Sequence, residues 1–360
     1  MLNSIIAAYT KIPYVFGGGF ALPPVNLTFE LTYRCNLDCR ICYLKATGAR
    51  NHANANDELT LNEIKNALEI LTRNIPFSKN KLSHVLFTGG EIFLRDDIID
   101  ILRIAAGKAN VSIFTNGLLL TDNIINALMD LKLEKIMISL DGPPEIHDTA
   151  RNKKGAFNKA SAAIARIAGL KEMRRQKKPL IQITTVISEI NAESLPELIP
   201  IAEKIRVDEL VFACEDTSRH RWLGAMDVDD EEFMNMPPNL RFKDLNSLKN
   251  SLDRIEKEAE EKGAWIKIRP YGFSRDVINQ YLNKYDIRDY ICYYPWSTMR
   301  ISAYGDIFPC YRFKIGSLRK DGFERLNNMW NADAYVRFRK KVKRNGPFFS
   351  CLGCGCLTRR

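Results

Sequence analysis

A chain of 360 residues is too long for one ordinary hydrophobic core, so one large domain with a smaller one attached is expected. Its 46% hydrophobic and 27% charged residues are a globular composition, and nine cysteines without a cleavable signal peptide argue against a secreted disulfide scaffold. They point to reduced thiols or metal ligands in the cytoplasm, while a net charge of +10 favours anionic partners without naming one. Residues 1–24 form an apolar opening in which Leu2, Ile5, Ile6, Tyr9 and Ile12 fall near helical spacing. The uncharged run from Ile12 to Phe29 holds Gly17, Gly18, Gly19, Pro23 and Pro24, which break a helix and exclude a transmembrane span. A short amphipathic helix and a glycine loop packed on the next domain are expected. Contact with a membrane surface is the lesser reading, because cationic residues are sparse there.

Residues 25–213 alternate strand-like and helix-like segments. Strands are expected at 25–32, 84–87, 111–114, 135–140, 181–187 and 209–213, and helices at 61–71, 98–106, 123–131, 156–170 and 195–205. Repeated βα units imply a parallel sheet with right-handed crossovers, with its chemistry at the carboxyl ends of the strands. The polar stretch 48–58 reads as loop. The first strand delivers CNLDCRIC, with Cys35, Cys39 and Cys42 on one short loop. Thiolates favour zinc or an iron–sulfur cluster, and three are one short of a closed tetrahedral site. On a four-iron cluster they leave one iron open. The second strand ends in Thr88-Gly89-Gly90-Glu91, whose glycines allow close backbone approach beside a carboxylate. The third ends in Thr115-Asn116-Gly117, also a common turn, and the fourth in Ser139 and Asp141, with His147, Asp148 and Arg151 beyond.

The CxxxCxxC spacing, with Tyr43 following, resembles the radical S-adenosylmethionine (SAM) superfamily, and FTGGEIFLRDD and ISLDGPPEIHDTARNKKGAF resemble its later motifs. The resemblance implies a partial (β/α)6 TIM-like barrel whose open iron binds SAM. Gly89, Gly90 and Glu91 then hold the SAM amino group, with Thr115 and Asn116 beside it. Ser139 contributes its hydroxyl, Asp141 lies close by, and Arg151 clamps the carboxylate. Adenine contacts are expected near Thr184, Thr185 and Asn191, while His147 and Asp148 are equally well explained by local hydrogen bonding.

Residues 214–290 read as a bridge. Cys214 lies just past the sixth strand and is either a buried small residue or a weak candidate for a substrate contact. Residues 215–232 read as a loop, and 243–262 as a charged helix; His84 and His220 receive no role. In 291–360, Cys292 and Cys310 are separated by 17 residues, and CLGCGC adds Cys351, Cys354 and Cys356. Four cysteines complete a cluster and a fifth is surplus, with zinc as the alternative. GDIFPC and FERLNNMWNADAYVRFR resemble the twitch/SPASM extension of radical SAM enzymes, which implies one auxiliary [4Fe–4S] cluster on Cys292, Cys310, Cys351 and Cys354, or with Cys356 replacing one. The extension is expected to close the mouth of the barrel. Basic clusters at 166–178 and 337–344 read as solvated faces, and no aromatic–basic motif favours nucleic acid.

The expected function is reductive cleavage of SAM to a 5′-deoxyadenosyl radical that takes a hydrogen atom from an anionic sugar, nucleotide-linked metabolite or lipid headgroup. A reducing partner such as flavodoxin or ferredoxin is implied. The alternatives are a peptide or protein maturase and, in another class, a non-catalytic zinc or electron-transfer protein. Only 34 residues precede Cys35, too few for an independent leader-binding domain. Sulfatase-maturing relatives carry an aspartate base after the extension's GxxxxC cysteine. Here that position is Tyr311, a weak candidate because a phenol is a poor base at neutral pH. Epimerisation or bond formation is therefore expected over base-assisted oxidation.

Overall fold

The computed structural model describes the chain except residues 1, 47, 52, 74, 76–80, 215–241, 264, 270–273, 283, 285, 309, 311–312, 349–350, 352–353 and 355. Tyr311, His220 and the loop 215–232 thus lie outside the described residues.

The opening residues form helix α1 (Leu2–Phe16), followed by a glycine turn. Six parallel strands come next, in spatial order: β1 (Asn26–Glu30), β2 (Leu82–Thr88), β3 (Ala109–Thr115), β4 (Lys135–Ser139), β5 (Leu180–Ile187) and β6 (Glu209–Cys214). Between them run α2 (Leu61–Thr72), α3 (Ile98–Ala106), α4 (Asp122–Asp130), α5 (Pro144–Arg151), α6 (Ala156–Met173) and α7 (Leu198–Lys204). Each crossover is helical because its apolar residues recur at three and four, as Ile64, Ala67, Leu68 and Leu71 do in α2. That helix starts at Thr60, whose hydroxyl accepts from the Glu63 N–H while the Glu63 carboxylate accepts from the Thr60 N–H.

The period of two gives the strands two chemically distinct faces. Leu27, Phe29, Val85, Phe87, Ile136, Ile138, Ile181, Ile183, Leu210 and Phe212 are buried in the core shared with the helices. Thr28, Glu30, His84, Ser112, Lys135, Gln182 and Glu209 alternate with them and face inward. This is the expected partial barrel.

The sheet also continues past both edges. After α8 (Leu245–Lys262), β7 (Ile266–Arg269) adds in parallel to β6, a strand too short to stand out in the bridge. Helix α9 (Ser274–Tyr281) and β8 (Tyr290–Cys292) follow, β8 lying outside this sheet. At the other edge β9 (Thr298–Ile301) pairs in parallel with β1, and β10 (Asp306–Phe308) and β11 (Gly316–Ser317) extend it antiparallel to ten strands. Helix α10 (Asp333–Asn345) leads to β12 (Leu357–Arg359), which pairs with β8.

The register corrects one expectation. Thr298 stands opposite Asn26, the first residue of β1, so Cys292 and Cys310 flank the amino ends of the strands. Among the described residues the turn 302–305 and Arg319 reach the carboxyl end, where Tyr304 packs edge-on to Tyr33 and Arg319 donates to the Glu58 carbonyl. The extension therefore lines the whole β1 edge with its cysteines at the floor, rather than closing the mouth.

Candidate active site

The loop after β1 is tied to its neighbours mainly through backbone. The Leu31 N–H donates to the Thr88 carbonyl (2.8 Å), Gly90 to Thr32 (2.7 Å), Glu91 to Arg34 (2.9 Å), and Arg40 to Ala150 (2.9 Å). These bonds explain the glycine pair more directly than a ligand does. A Cβ on Gly89 would stand 2.3 Å from the Thr32 carbonyl oxygen, and one on Gly90 2.1 Å from that of Arg34. Gly89 also holds φ +143°, which side chains rarely adopt. The glycines let the second strand end nest against the cysteine loop. Cys39 is buried while Cys35 and Cys42 are half-buried, and burial pushes the Cys35 thiol up to about 11.

Glu91 is fully buried, and burial raises its carboxyl pKa. It accepts from the Thr115 hydroxyl (2.8 Å) and from the backbone N–H groups of Asn116 (2.8 Å) and Phe93 (3.2 Å). Asn116 in turn donates to the Asn36 side chain (2.8 Å), beside Cys35. The residues expected around the SAM amino group thus form one connected network joining the second and third strand ends to the cysteine loop.

At the fourth strand end, Arg151 donates to Asp141 (2.6 Å) and reaches the Cys39 sulfur at 3.7 Å. Asp141 also accepts from the Val186 N–H (3.2 Å), and its own N–H donates to His147 Nδ1 (3.0 Å). His147 is therefore a neutral acceptor, and burial pushes it down to about 4. Asn191 donates to the carbonyls of Asp141 and Val186 (both 2.8 Å), and the Thr185 hydroxyl to that of Leu140 (2.7 Å). Asp148 accepts from Gly155 and Phe157 at the start of α6. Ser139 is buried beside this cluster and Thr184 accepts from Gln182 (2.8 Å). Cys214 shares the face of Leu210 and Phe212 in the hydrophobic core, as a buried small residue does.

Beside the cysteine loop lie two buried carboxylates that the sequence did not mark, Glu58 and Glu30. Glu58, in the stretch read as polar loop, accepts from Thr32, Arg34 (2.9 and 3.1 Å) and Arg95 (3.2 Å). Glu30 accepts from the hydroxyls of Tyr33 (2.7 Å) and Tyr43 (3.3 Å) and pairs with Arg300 of β9. Together they grip the cysteine loop from both sides. The only signal was Glu30's place on the polar side of an alternating strand; Glu58 had none.

The other five cysteines line a single pocket with Pro295, Phe313, Phe338 and Phe348. Pairing of Leu357 with Cys292 and the Cys354 N–H bond to the Cys351 carbonyl (3.0 Å) gather them. None of the nine cysteines is joined in a disulfide. Among the described residues no group of three or more ligating side chains stands close enough for a single metal ion. A cubane spreads its thiolates over four irons, so five thiols around an apolar pocket fit a cluster better than zinc.

Residues 29–199 match the model of the radical SAM superfamily, and residues 292–355 that of the SPASM iron–sulfur cluster-binding domain. The chain belongs to the radical SAM superfamily. This radical SAM enzyme carries a C-terminal SPASM/twitch-type domain, and its cofactors are SAM, the SAM-binding [4Fe–4S] cluster and an auxiliary cluster. It is 25% identical to the AdoMet-dependent heme synthase of Methanosarcina barkeri, over 93% of this chain and 92% of that protein. It is 26% identical to the antilisterial bacteriocin subtilosin biosynthesis protein AlbA of Bacillus subtilis, over 92% of this chain and 67% of that protein. In fold it resembles SuiB of Streptococcus suis bound to precursor peptide SuiA, with a TM-score of 0.65 at 15% identity, covering 91% of this chain and 70% of that one.

Proposed function

We propose that this radical SAM enzyme takes a hydrogen atom from an anionic small molecule held inside the barrel. The observation carrying this reading is the inner face near the amino ends of the strands. There Lys135 donates to Gln182 (3.0 Å) and pairs with Glu209, and Lys267 pairs with the same carboxylate at 2.5 Å. His84 and Ser112 are hydrogen bonded beside them at 2.8 Å. Two ammonium groups share one carboxylate, so the layer keeps a positive balance suited to a carboxylate or phosphate. It lies about 13 Å below Ser139 at the strand rise of about 3.3 Å per residue, the length of a metabolite. The relative matched almost end to end is named AdoMet-dependent heme synthase rather than a peptide maturase.

Cys35, Cys39 and Cys42 would hold the SAM-binding cluster, and Cys292, Cys310, Cys351 and Cys354 the auxiliary one, with Cys356 able to replace one of them. When bound and reduced, that first cluster would supply the electron for reductive cleavage of SAM. Glu91, Thr115 and Asn116 position the SAM-binding loops. Arg151, held by Asp141 next to Cys39, would take the SAM carboxylate, and Ser139 would hold its neighbouring polar groups. The barrel wall keeps water from the radical. Cysteines without disulfides and cluster chemistry favour a reducing cytoplasm and a donor such as flavodoxin or ferredoxin.

The second reading is a peptide substrate, favoured by AlbA's role in bacteriocin biosynthesis. Anaerobic assay with SAM, dithionite and deuterated candidates separates the two. Deuterium should enter 5′-deoxyadenosine from the anionic metabolite. Lys135→Gln with Lys267→Gln should raise its KM by about tenfold or more while substrate-free SAM cleavage is unchanged. Deuterium transfer from a peptide alone overturns the small-molecule reading.

A further inference from the structure

Seven large apolar side chains are conspicuously exposed among the described residues, and five lie within residues 12–22: Ile12 (57%), Val15 (49%), Phe16 (82%), Phe20 (58%) and Leu22 (41%). The backbone beneath them is not loose. Lys343 Nζ donates to the Val15 carbonyl (2.6 Å), Arg339 to Gly19 (3.3 Å), Asn331 to Ala21 (2.9 Å), and the Trp330 indole to Leu22 (2.6 Å). Tyr14 packs edge-on against Tyr293 and Trp296, holding the end of α1 down. The loop is thus pinned with its apolar side chains held in water, where burying each phenylalanine would be favourable.

What lies beside it says what would cover it. The Lys340 side chain runs against Gly19, and Lys343 bonds the loop itself. Lys340, Lys343 and Arg344 are exposed on one face of α10, spaced by three and four. No carboxylate occurs in residues 1–25 or 334–345. In the other basic cluster, Arg166, Lys171, Arg174 and Lys178 pair with Asp122, Asp208, Asp130 and Glu134. The cations of α10 lie over 300 positions from the N-terminal loop in the chain, and only folding brings them beside it.

We propose that residues 12–22 and the cationic face of α10 form a docking surface for an anionic lipid bilayer. Phe16 and Phe20 enter the interface, and the lysines reach the headgroups around them on flexible stems. Separate side chains projecting around a turn suit a fluid surface better than a shaped protein partner.

The test is vesicle flotation of the anaerobically reconstituted full chain, on phosphatidylcholine alone and on two parts phosphatidylcholine to one of phosphatidylglycerol. Binding should require phosphatidylglycerol and fade as salt rises from about 0.1 M to about 1 M. Phe16→Ser and Phe20→Ser should each weaken it about tenfold, and Lys340→Gln or Arg344→Gln about fivefold. SAM cleavage in each variant, at the unaltered rate, confirms folding. Failure to bind, equal binding to both vesicles, or undiminished binding of the double phenylalanine variant overturns the proposal. So does a dimer in sedimentation that Phe16→Ser with Phe20→Ser dissolves, which would make the patch an interface between copies.

Discussion

His147 shows how a residue near the chemistry serves structure. Its Nδ1 accepts the Asp141 N–H and burial keeps it neutral, so its pKa falls from 6.5 to about 4. Below about pH 6.5 the unfolded chain takes up a proton that the folded chain refuses until about pH 4. This contribution is therefore complete above about 6.5 and lost as pH falls toward 4, by about 2 kcal/mol at pH 5. His147→Asn retains an acceptor but does not titrate. Its unfolding free energy, measured in denaturant at pH 7.5 and 5, should lose about 2 kcal/mol less than wild type. Equal losses in the two proteins would remove His147 from the titration. Glu58 makes the complementary point: a carboxylate in an unpatterned stretch becomes the anchor of Arg34 and Arg95.

Among the elements, the Thr88–Glu91 turn and the cysteine loop behave as one unit. Gly90 touches the Arg34 carbonyl closely enough that a methyl group cannot be placed there without moving the loop. Gly90→Ala should therefore lose SAM cleavage and about four irons per chain. Gly155→Ala is the control, since Gly155 has φ +80° but nothing within 4 Å of its Cβ position. It should cost about 1 kcal/mol and keep both clusters. Iron analysis and 5′-deoxyadenosine yield decide between a packing requirement, which separates the two variants, and a general intolerance of backbone strain, which does not.

Across the whole molecule, the extension and the barrel share one sheet, and the Glu30–Arg300 pair crosses their seam. Arg319 adds a second tie, to the Glu63 carboxylate and to the carbonyls of Asp57 and Glu58. Arg300→Met leaves Glu30 buried without its cation and should cost about 3–5 kcal/mol, whereas Glu30→Gln with Arg300→Met should recover part of that. Calorimetry should show one transition moving as a whole; separate barrel and extension transitions in wild type would contradict the shared sheet. Cys292→Ala with Cys310→Ala should remove about four irons while substrate-free SAM cleavage at the opposite end of the barrel survives. Unchanged iron content would refute the auxiliary ligand set.

Local patterns made much of this legible in the chain. Cysteines three and four apart meet on any short loop, and apolar periods of two and near 3.6 announce strands and helices whatever surrounds them. The barrel, its cysteine loop and the Gly-Gly-Glu turn were readable for that reason. The second cysteine set was readable as a set, though not its place at the barrel floor, which depends on β9 pairing with β1. Tertiary structure alone decided that Glu30 meets Arg300 across 270 positions and that Lys343 meets Val15 across 328. Such contacts leave no periodic trace, because each charge is unremarkable until folding removes its water and supplies a partner.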